Sequence, residues 1–144
     1  ELYRMEAKNL PLTILFGHAH EAITAADVVL VASGTATLET ALLKRPMVIT
    51  YKMPKLSWSI IKRKRYQPYV GLPNILEGEF VVPELLQSDA TPENLAQALL
   101  NIYHDKTFIQ TLQLRFEALH LRLRKNTAEK AASAIFALLE RKFA

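Results

Sequence analysis

The chain has 144 residues, enough for one domain with a substantial hydrophobic core. Half of its residues are hydrophobic and 22% are charged, which is typical of globular proteins and excludes a disordered chain. It contains no cysteine, which excludes disulfides and thiolate metal sites, and its net charge of +4 mildly favours an anionic partner. No apolar run approaches the roughly 18 residues of a membrane-spanning helix. Because the first residue is Glu1, we expect a piece of a longer protein.

Three short apolar runs predict the strands of a parallel sheet. Residues 12–16, 28–32 and 46–51 are apolar or β-branched, and the proline that opens the third run is tolerated at a strand's first position. Residues 21–26 are rich in alanine and residues 36–44 have helical spacing, so both are predicted helices. Strands that alternate with short helices indicate βαβ units.

The rest of the chain is predicted to be first irregular and then helical. Prolines and glycines interrupt residues 52–87, within which we predict a short helix at 56–65 and a further strand at 80–82. Thr91 followed by Pro92 predicts a helix start, and apolar residues then recur with helical spacing to the end of the chain. The predicted fold class is therefore α/β, with a parallel sheet and a helical C-terminal third.

The stretch Ser33-Gly34-Thr35 follows a predicted strand and precedes a predicted helix. At such a junction the free N–H groups and the helix dipole favour an anion, and glycine lets a phosphate approach the backbone. An ordinary turn, with Ser33 or Thr35 as the N-cap, is the alternative that local chemistry alone favours. Glu39 shifts the balance, because Ala36 three positions earlier cannot complete a capping box. The Glu39 carboxylate is either exposed to solvent or accepts hydrogen bonds from two ribose hydroxyls.

A basic segment with interleaved aromatic residues lies between Glu39 and Glu77, a window without any acidic residue. Such a segment fits a surface for anionic lipid. A solvated loop and a nucleic-acid-binding segment fit the same residues equally well. The residues assigned to this surface are Trp58, Lys62, Arg63, Lys64 and Arg65.

Three segments in this order and spacing resemble a known family. They are ASGTATLETALLKRPMVITYKM, YVGLPNIL and VVPELLQ, and they resemble the C-terminal half of lipid-A-disaccharide synthases, which are GT-B glycosyltransferases of Gram-negative outer-membrane biosynthesis. The resemblance implies that residues 1–144 form a single Rossmann-like domain that binds UDP. It implies that Ser33, Gly34 and Thr35 face the diphosphate and that Glu39 faces the ribose. It also places Asn74 and Gln87 in or beside the interdomain cleft, although the residues alone favour a turn cap and a solvated helix end.

The resemblance further implies a reaction. 2,3-Diacylglucosamine would pass from UDP-2,3-diacylglucosamine to lipid X, which is 2,3-diacylglucosamine 1-phosphate, to give lipid A disaccharide and UDP. The N-terminal acceptor domain, with the catalytic base and an arginine loop, is expected to lie outside this chain. No catalytic residue is therefore assigned here, and the chain alone is expected to be inactive.

The resemblance also bears on partners. Because the acceptor is a phosphorylated lipid, it favours an anionic-lipid surface, with the protein cytoplasmic and peripheral on the inner membrane, and nucleic acid is not expected. A homodimer stays open. No cofactor or metal is expected, since His18 and His20 lack further ligands at a suitable spacing. Two alternatives remain: another sugar-nucleotide enzyme such as a UDP-sugar epimerase, and a non-catalytic module that binds anionic lipid or nucleic acid through residues 52–69.

Overall fold

The computed structural model describes residues 10–64 and 66–143, and within them the chain forms a layered α/β domain. The strands are β1 (Val29–Ala32), β2 (Met47–Tyr51) and β3 (Glu84–Leu86). The helices are α1 (Ala19–Ala25), α2 (Thr35–Leu42), α3 (Lys55–Lys64), α4 (Leu72–Glu77), α5 (Pro92–His104), α6 (Lys106–Leu123) and α7 (Thr127–Phe143). No helix in these ranges is both long and apolar enough to cross a membrane.

The three strands form one parallel sheet in the order β1-β2-β3. Val29 lies opposite Met47, and Ile49 lies opposite Glu84. The central strand carries the core, since Met47, Val48 and Ile49 are completely buried. Helix α6 packs Leu112, Phe116 and Leu119 against the same core. A continuous apolar strand covered on both faces is what a central parallel strand requires, so the α/β prediction is confirmed.

Two of the predicted strands are wrong. The sheet does not include residues 12–16, whose apolar side chains are exposed, Phe16 to 87%. Apolar composition alone does not make a strand, because the backbone also needs a partner for its hydrogen bonds. Residues 80–82 do not form a strand either, since the N–H groups of Val81 and Val82 donate to the Asn74 side chain rather than to a strand.

The predicted start of α5 is confirmed, and α6 begins in the same way. The Thr91 hydroxyl accepts a hydrogen bond from the Asn94 N–H at 3.2 Å. The Asp105 carboxylate accepts one from the Phe108 N–H at 2.8 Å. Both side chains satisfy an N–H group that the first turn of a helix leaves without a partner.

Candidate functional site

The carboxyl ends of the three strands meet at one edge of the sheet. Beyond β1, the Ser33 N–H donates to the Thr50 carbonyl at 3.0 Å, and beyond β3, the Gln87 N–H donates to the Tyr51 carbonyl at 3.0 Å. Ser33 and Gln87 therefore lie on opposite sides of β2 at this edge. In open parallel sheets, ligands bind outside the carboxyl ends of the strands.

Gly34 makes the sharp turn from β1 into α2. Its φ of +154° and ψ of −165° lie in a region that only glycine adopts without strain. A Cβ atom added there would meet no atom within 4 Å, so the space in front of the backbone is open. No side chain of the described residues caps α2, so the N–H groups of Thr35 and Ala36 are left without a side-chain partner. The stretch from residue 33 to residue 35, called here the glycine loop, can therefore admit a ligand up to its backbone.

Thr35 and Glu39 lie one turn apart on the exposed face of α2. Together with His20 and His120 they line an open cavity of about 550 Å³. The structure thus brings Gly34, Thr35 and Glu39 together at the N-terminal end of this helix. A hydroxyl donor at the glycine loop and a carboxylate acceptor one turn away suit a ligand that carries both an anion and hydroxyl groups.

Ser33 is turned away from the open side of the glycine loop. Its hydroxyl donates to the Val70 carbonyl at 2.9 Å. A serine hydroxyl has a single proton, so this bond uses its only donor. That Ser33 faces a diphosphate stays a prediction, and in this structure its hydroxyl proton is engaged elsewhere.

Asn74 is completely buried and has a structural role. Its amide nitrogen donates to the Val82 carbonyl at 2.9 Å and to Glu84 Oε1 at 2.8 Å. Its amide oxygen accepts from the Val81 N–H at 2.9 Å and the Val82 N–H at 3.0 Å. These four bonds use the whole capacity of the amide, which therefore offers nothing further to a ligand. That Asn74 lies beside a cleft stays a prediction.

Gln87 is not a solvated helix end, because it is half-buried and directly follows β3. Its Oε1 accepts from the Met53 N–H at 2.7 Å, and its Nε2 donates to the Met53 carbonyl at 3.0 Å. The side chain thereby continues the pairing of β2 and β3 beyond both strands. Gln87 lines a cavity of about 310 Å³ at this edge of the sheet, with Trp58 and Asp89 among its other walls. Its assignment to an interdomain cleft stays a prediction.

Sequence reasoning missed Glu84, which begins β3. Its carboxylate accepts from the Val70 N–H at 2.9 Å, from the Gly71 N–H at 2.8 Å and from the Asn74 amide. The signal was available, because an acidic residue beside an apolar strand is costly to bury unless hydrogen bonds compensate it. It was overlooked because the strand was predicted a few residues too early.

The basic segment corresponds to helix α3. Among the side chains of this helix that the structure describes, the exposed apolar ones are Leu56, 82% exposed, and Ile60, 57% exposed, which are one helical turn apart. Trp58 is half-buried and lines the cavity near Gln87, and Arg63 is exposed. The side chains of Lys62, Lys64 and Arg65 lie outside the described part of the chain. The assignment of all five predicted contacts to a lipid surface stays a prediction.

The histidines form no metal cluster in the described part of the chain, where no group of three or more histidine and carboxylate side chains could hold a metal ion. His18 Nδ1 lies 3.4 Å from the Glu21 carboxylate. The pKa of Glu21 is lowered, first by a backbone hydrogen bond and second by the bond with His18. This pair is therefore an exposed interaction within α1 and its flank.

Comparison with known proteins identifies the family. A family model described as lipid-A-disaccharide synthetase matches residues 1–136. The lipid-A-disaccharide synthase of Methylobacillus flagellatus is 58% identical over 139 residues, which cover 96% of this chain and 37% of that protein. The synthase of Dechloromonas aromatica is 59% identical over 138 residues, or 96% of this chain and 36% of that protein. The chain therefore spans little more than a third of the length of these relatives. Because the family model matches nearly all of it, the chain belongs to the lipid-A-disaccharide synthetase family.

Proposed function

We propose that this chain is the donor-binding part of a glycosyltransferase that makes lipid A disaccharide. The donor is UDP-2,3-diacylglucosamine, the acceptor is lipid X, and the products are the disaccharide and UDP. The observation that carries the proposal is the open glycine loop followed by Thr35 and Glu39 on one face of α2, in a chain of this family.

The proposed division of labour follows the chemistry of each group. The N–H groups at the start of α2 and the Thr35 hydroxyl donate to the diphosphate, and the Glu39 carboxylate accepts from the two ribose hydroxyls. As the bond to the sugar breaks, negative charge grows on the diphosphate, so fixed donors there stabilise the leaving group. No residue of this chain is proposed to supply the acceptor site or the catalytic base. The transfer needs no cofactor besides the donor.

The proposal also assigns helix α3 to contact with the membrane. The lipid substrates require access to a bilayer surface, so the protein is proposed to be cytoplasmic and peripheral on the inner membrane. Helix α3 presents exposed Leu56 and Ile60 in a window of the sequence without acidic residues. Exposed apolar side chains beside cations favour contact with anionic lipid. Trp58, which is half-buried and lines a cavity, is proposed to contact the lipid surface with the exposed part of its side chain.

A titration of the chain with UDP and with ADP tests donor binding directly. UDP should bind measurably, while ADP, which carries adenine in place of uracil, should bind at least tenfold more weakly. Absence of UDP binding at millimolar concentration contradicts the proposed site.

A chimera tests the reaction. The 139 matching residues of the Methylobacillus flagellatus synthase are replaced with this chain, and disaccharide formation is measured. Activity with acylated UDP-glucosamine and none with unacylated UDP-sugars is the expected result. Epimerised UDP-sugar as the product would instead favour the alternative sugar-nucleotide enzyme. Binding to anionic vesicles without any UDP affinity would favour the non-catalytic module.

A further inference from the structure

The Glu84 carboxylate accepts hydrogen bonds from three N–H donors. Val70 N lies 2.9 Å from Oε2, and Gly71 N lies 2.8 Å from Oε1. Asn74 Nδ2 lies 2.8 Å from Oε1. Three converging donors require a group that only accepts, which an ionised carboxylate is. Glutamine has the same shape but would turn an NH₂ group toward one of these donors.

Residues 70–72, which Glu84 holds, reach the glycine loop from two sides. On one side the Val70 carbonyl accepts from the Ser33 hydroxyl at 2.9 Å. On the other side the Leu72 N–H donates to the Thr37 hydroxyl at 3.2 Å, and that hydroxyl donates to the Gly34 carbonyl at 2.7 Å. Thr37 is completely buried, so its bonds are protected from water. Through the backbone of residues 70–72, these hydrogen bonds link Glu84 to Ser33 on one side of Gly34 and to the Gly34 carbonyl on the other.

The packing around Gly71 gives residues 70–72 little freedom to move. A Cβ atom on Gly71 would lie 2.2 Å from Ile49 Cδ1, so the backbone here rests directly on β2. The same Cβ would lie 3.1 Å from Oε1 of Glu84, which is paired with Ile49 in the sheet. The segment therefore packs against both the Ile49 side chain and the Glu84 carboxylate. Loss of the Glu84 hydrogen bonds to Val70 and Gly71 is therefore expected to loosen the segment.

We propose that Glu84 is a positioning residue for the donor nucleotide. It acts through residues 70–72 to hold Ser33 and Gly34 in the arrangement that accepts a diphosphate. Donors fixed before the ligand arrives bind an anion better than donors that must first become ordered. The inference rests on the proposed binding of UDP at the glycine loop. It adds that a residue on β3, outside that loop, sets the affinity for the phosphates.

The test compares UDP with uridine as ligands of the Glu84→Gln variant. UDP affinity should fall at least tenfold, while uridine affinity stays within twofold, because uridine has no phosphate. Glu79→Gln is the matched control, since it removes the same charge from an exposed ion pair with Arg115. It should leave both affinities unchanged. Equal losses for UDP and uridine, or no loss for either, would overturn the inference.

A double-mutant cycle separates positioning from general destabilisation. Ser33→Ala removes the bond to Val70 and keeps the Glu84 carboxylate. If both residues act through Val70, the double variant should bind UDP no more weakly than the worse single variant. Losses that multiply would mean that Ser33 and Glu84 act independently, which contradicts the inference.

A measurement without ligand keeps the inference separate from the proposed function. If the parent chain binds no UDP, the proposed function fails, but hydrogen exchange still reports on the glycine loop. Glu84→Gln should speed amide exchange at residues 34–36 at least tenfold, with little change in β2. Unchanged exchange at those residues would show that Glu84 does not hold the loop.

Discussion

Replacement of Gly34 by alanine distinguishes two effects, the loss of stability from backbone strain in the turn and the loss of UDP affinity from a blocked phosphate site. An alanine at φ +154° and ψ −165° is strained by about 1–3 kcal/mol. For a chain of this size each kcal/mol lowers Tm by roughly 3–4 °C, so a fall of about 3–12 °C is expected. The added methyl group meets no protein atom within 4 Å, so no steric term adds to this strain.

The same methyl group would project into the space proposed for the diphosphate. Loss of one or two charge-assisted hydrogen bonds, each about 1.5–3 kcal/mol, should weaken UDP binding by roughly tenfold to more than ten-thousandfold. Uridine, which has no phosphate, should bind as well as it does to the parent. Calorimetric titration measures both ligands, and thermal unfolding measures the strain.

Gly78→Ala is the matched control for this experiment. Gly78 also has a positive φ, +74°, and open space at its Cβ position, but it ends α4. The control should lower Tm and leave UDP binding intact. If Gly34→Ala lowers Tm but retains UDP affinity within twofold, then the glycine serves only the turn and the proposed phosphate site is wrong.

Three further predictions concern ribose, folding and membrane contact. Glu39→Gln should weaken UDP binding at least tenfold, because the uncharged amide is a poorer acceptor for the ribose hydroxyls. Tm should change little, because Glu39 is exposed. Equal UDP affinity of the variant and the parent refutes the ribose assignment. Asn74→Leu should lower the free energy of unfolding, measured with urea, by about 3 kcal/mol or more. The reason is that leucine cannot bond the Val81 N–H, the Val82 N–H or the Val82 carbonyl. A loss below about 1 kcal/mol contradicts the structural role of Asn74. Replacing four cations by glutamine should weaken binding to anionic vesicles about a thousandfold at low salt, at about 1 kcal/mol per charge, and leave UDP affinity unchanged. The four are Lys62, Arg63, Lys64 and Arg65, and the control replaces Lys106, Arg124, Lys125 and Lys130. An equal loss of vesicle binding in the control variant, or no vesicle binding by the parent chain, would contradict a specific lipid-binding surface at these four residues.

The sequence allowed the fold to be predicted where composition and neighbouring structure agree. Residues 28–32 and 46–51 are apolar runs that also have a neighbouring strand, and both form strands close to the predicted bounds. Residues 12–16 are equally apolar but lie outside the three-stranded sheet. The pattern of apolar residues in a segment shows which side chains can be buried, whereas strand pairing requires a neighbouring strand whose backbone can form hydrogen bonds. The sequence of the segment alone does not show whether such a neighbour is present.

The same contrast applies to the candidate site. Gly34, Thr35 and Glu39 follow from local chemistry, because a strand end, a glycine and one helical turn suffice to bring them together. The contacts of Ser33 and Gln87 depend on residues more than thirty positions away, Val70 and Met53 respectively. Side chains that tertiary contacts engage cannot be distinguished from free ones in the sequence. Glu84 was missed for the same reason, since its three donors come from residues 70–74.

The Glu39 carboxylate is negatively charged and therefore repels the phosphate anion that the glycine loop is proposed to bind. Glu39 stands five residues after Gly34, about 7.5 Å along the helix at 1.5 Å per residue. In water, two unit charges at that distance repel by only about 0.6 kcal/mol, and Glu39 is exposed to water. Each hydrogen bond from a ribose hydroxyl to a charged acceptor contributes about 1.5–3 kcal/mol. The attraction for ribose therefore exceeds the repulsion of the nearest phosphate charge, which is why an acid can occupy this position in an anion-binding site.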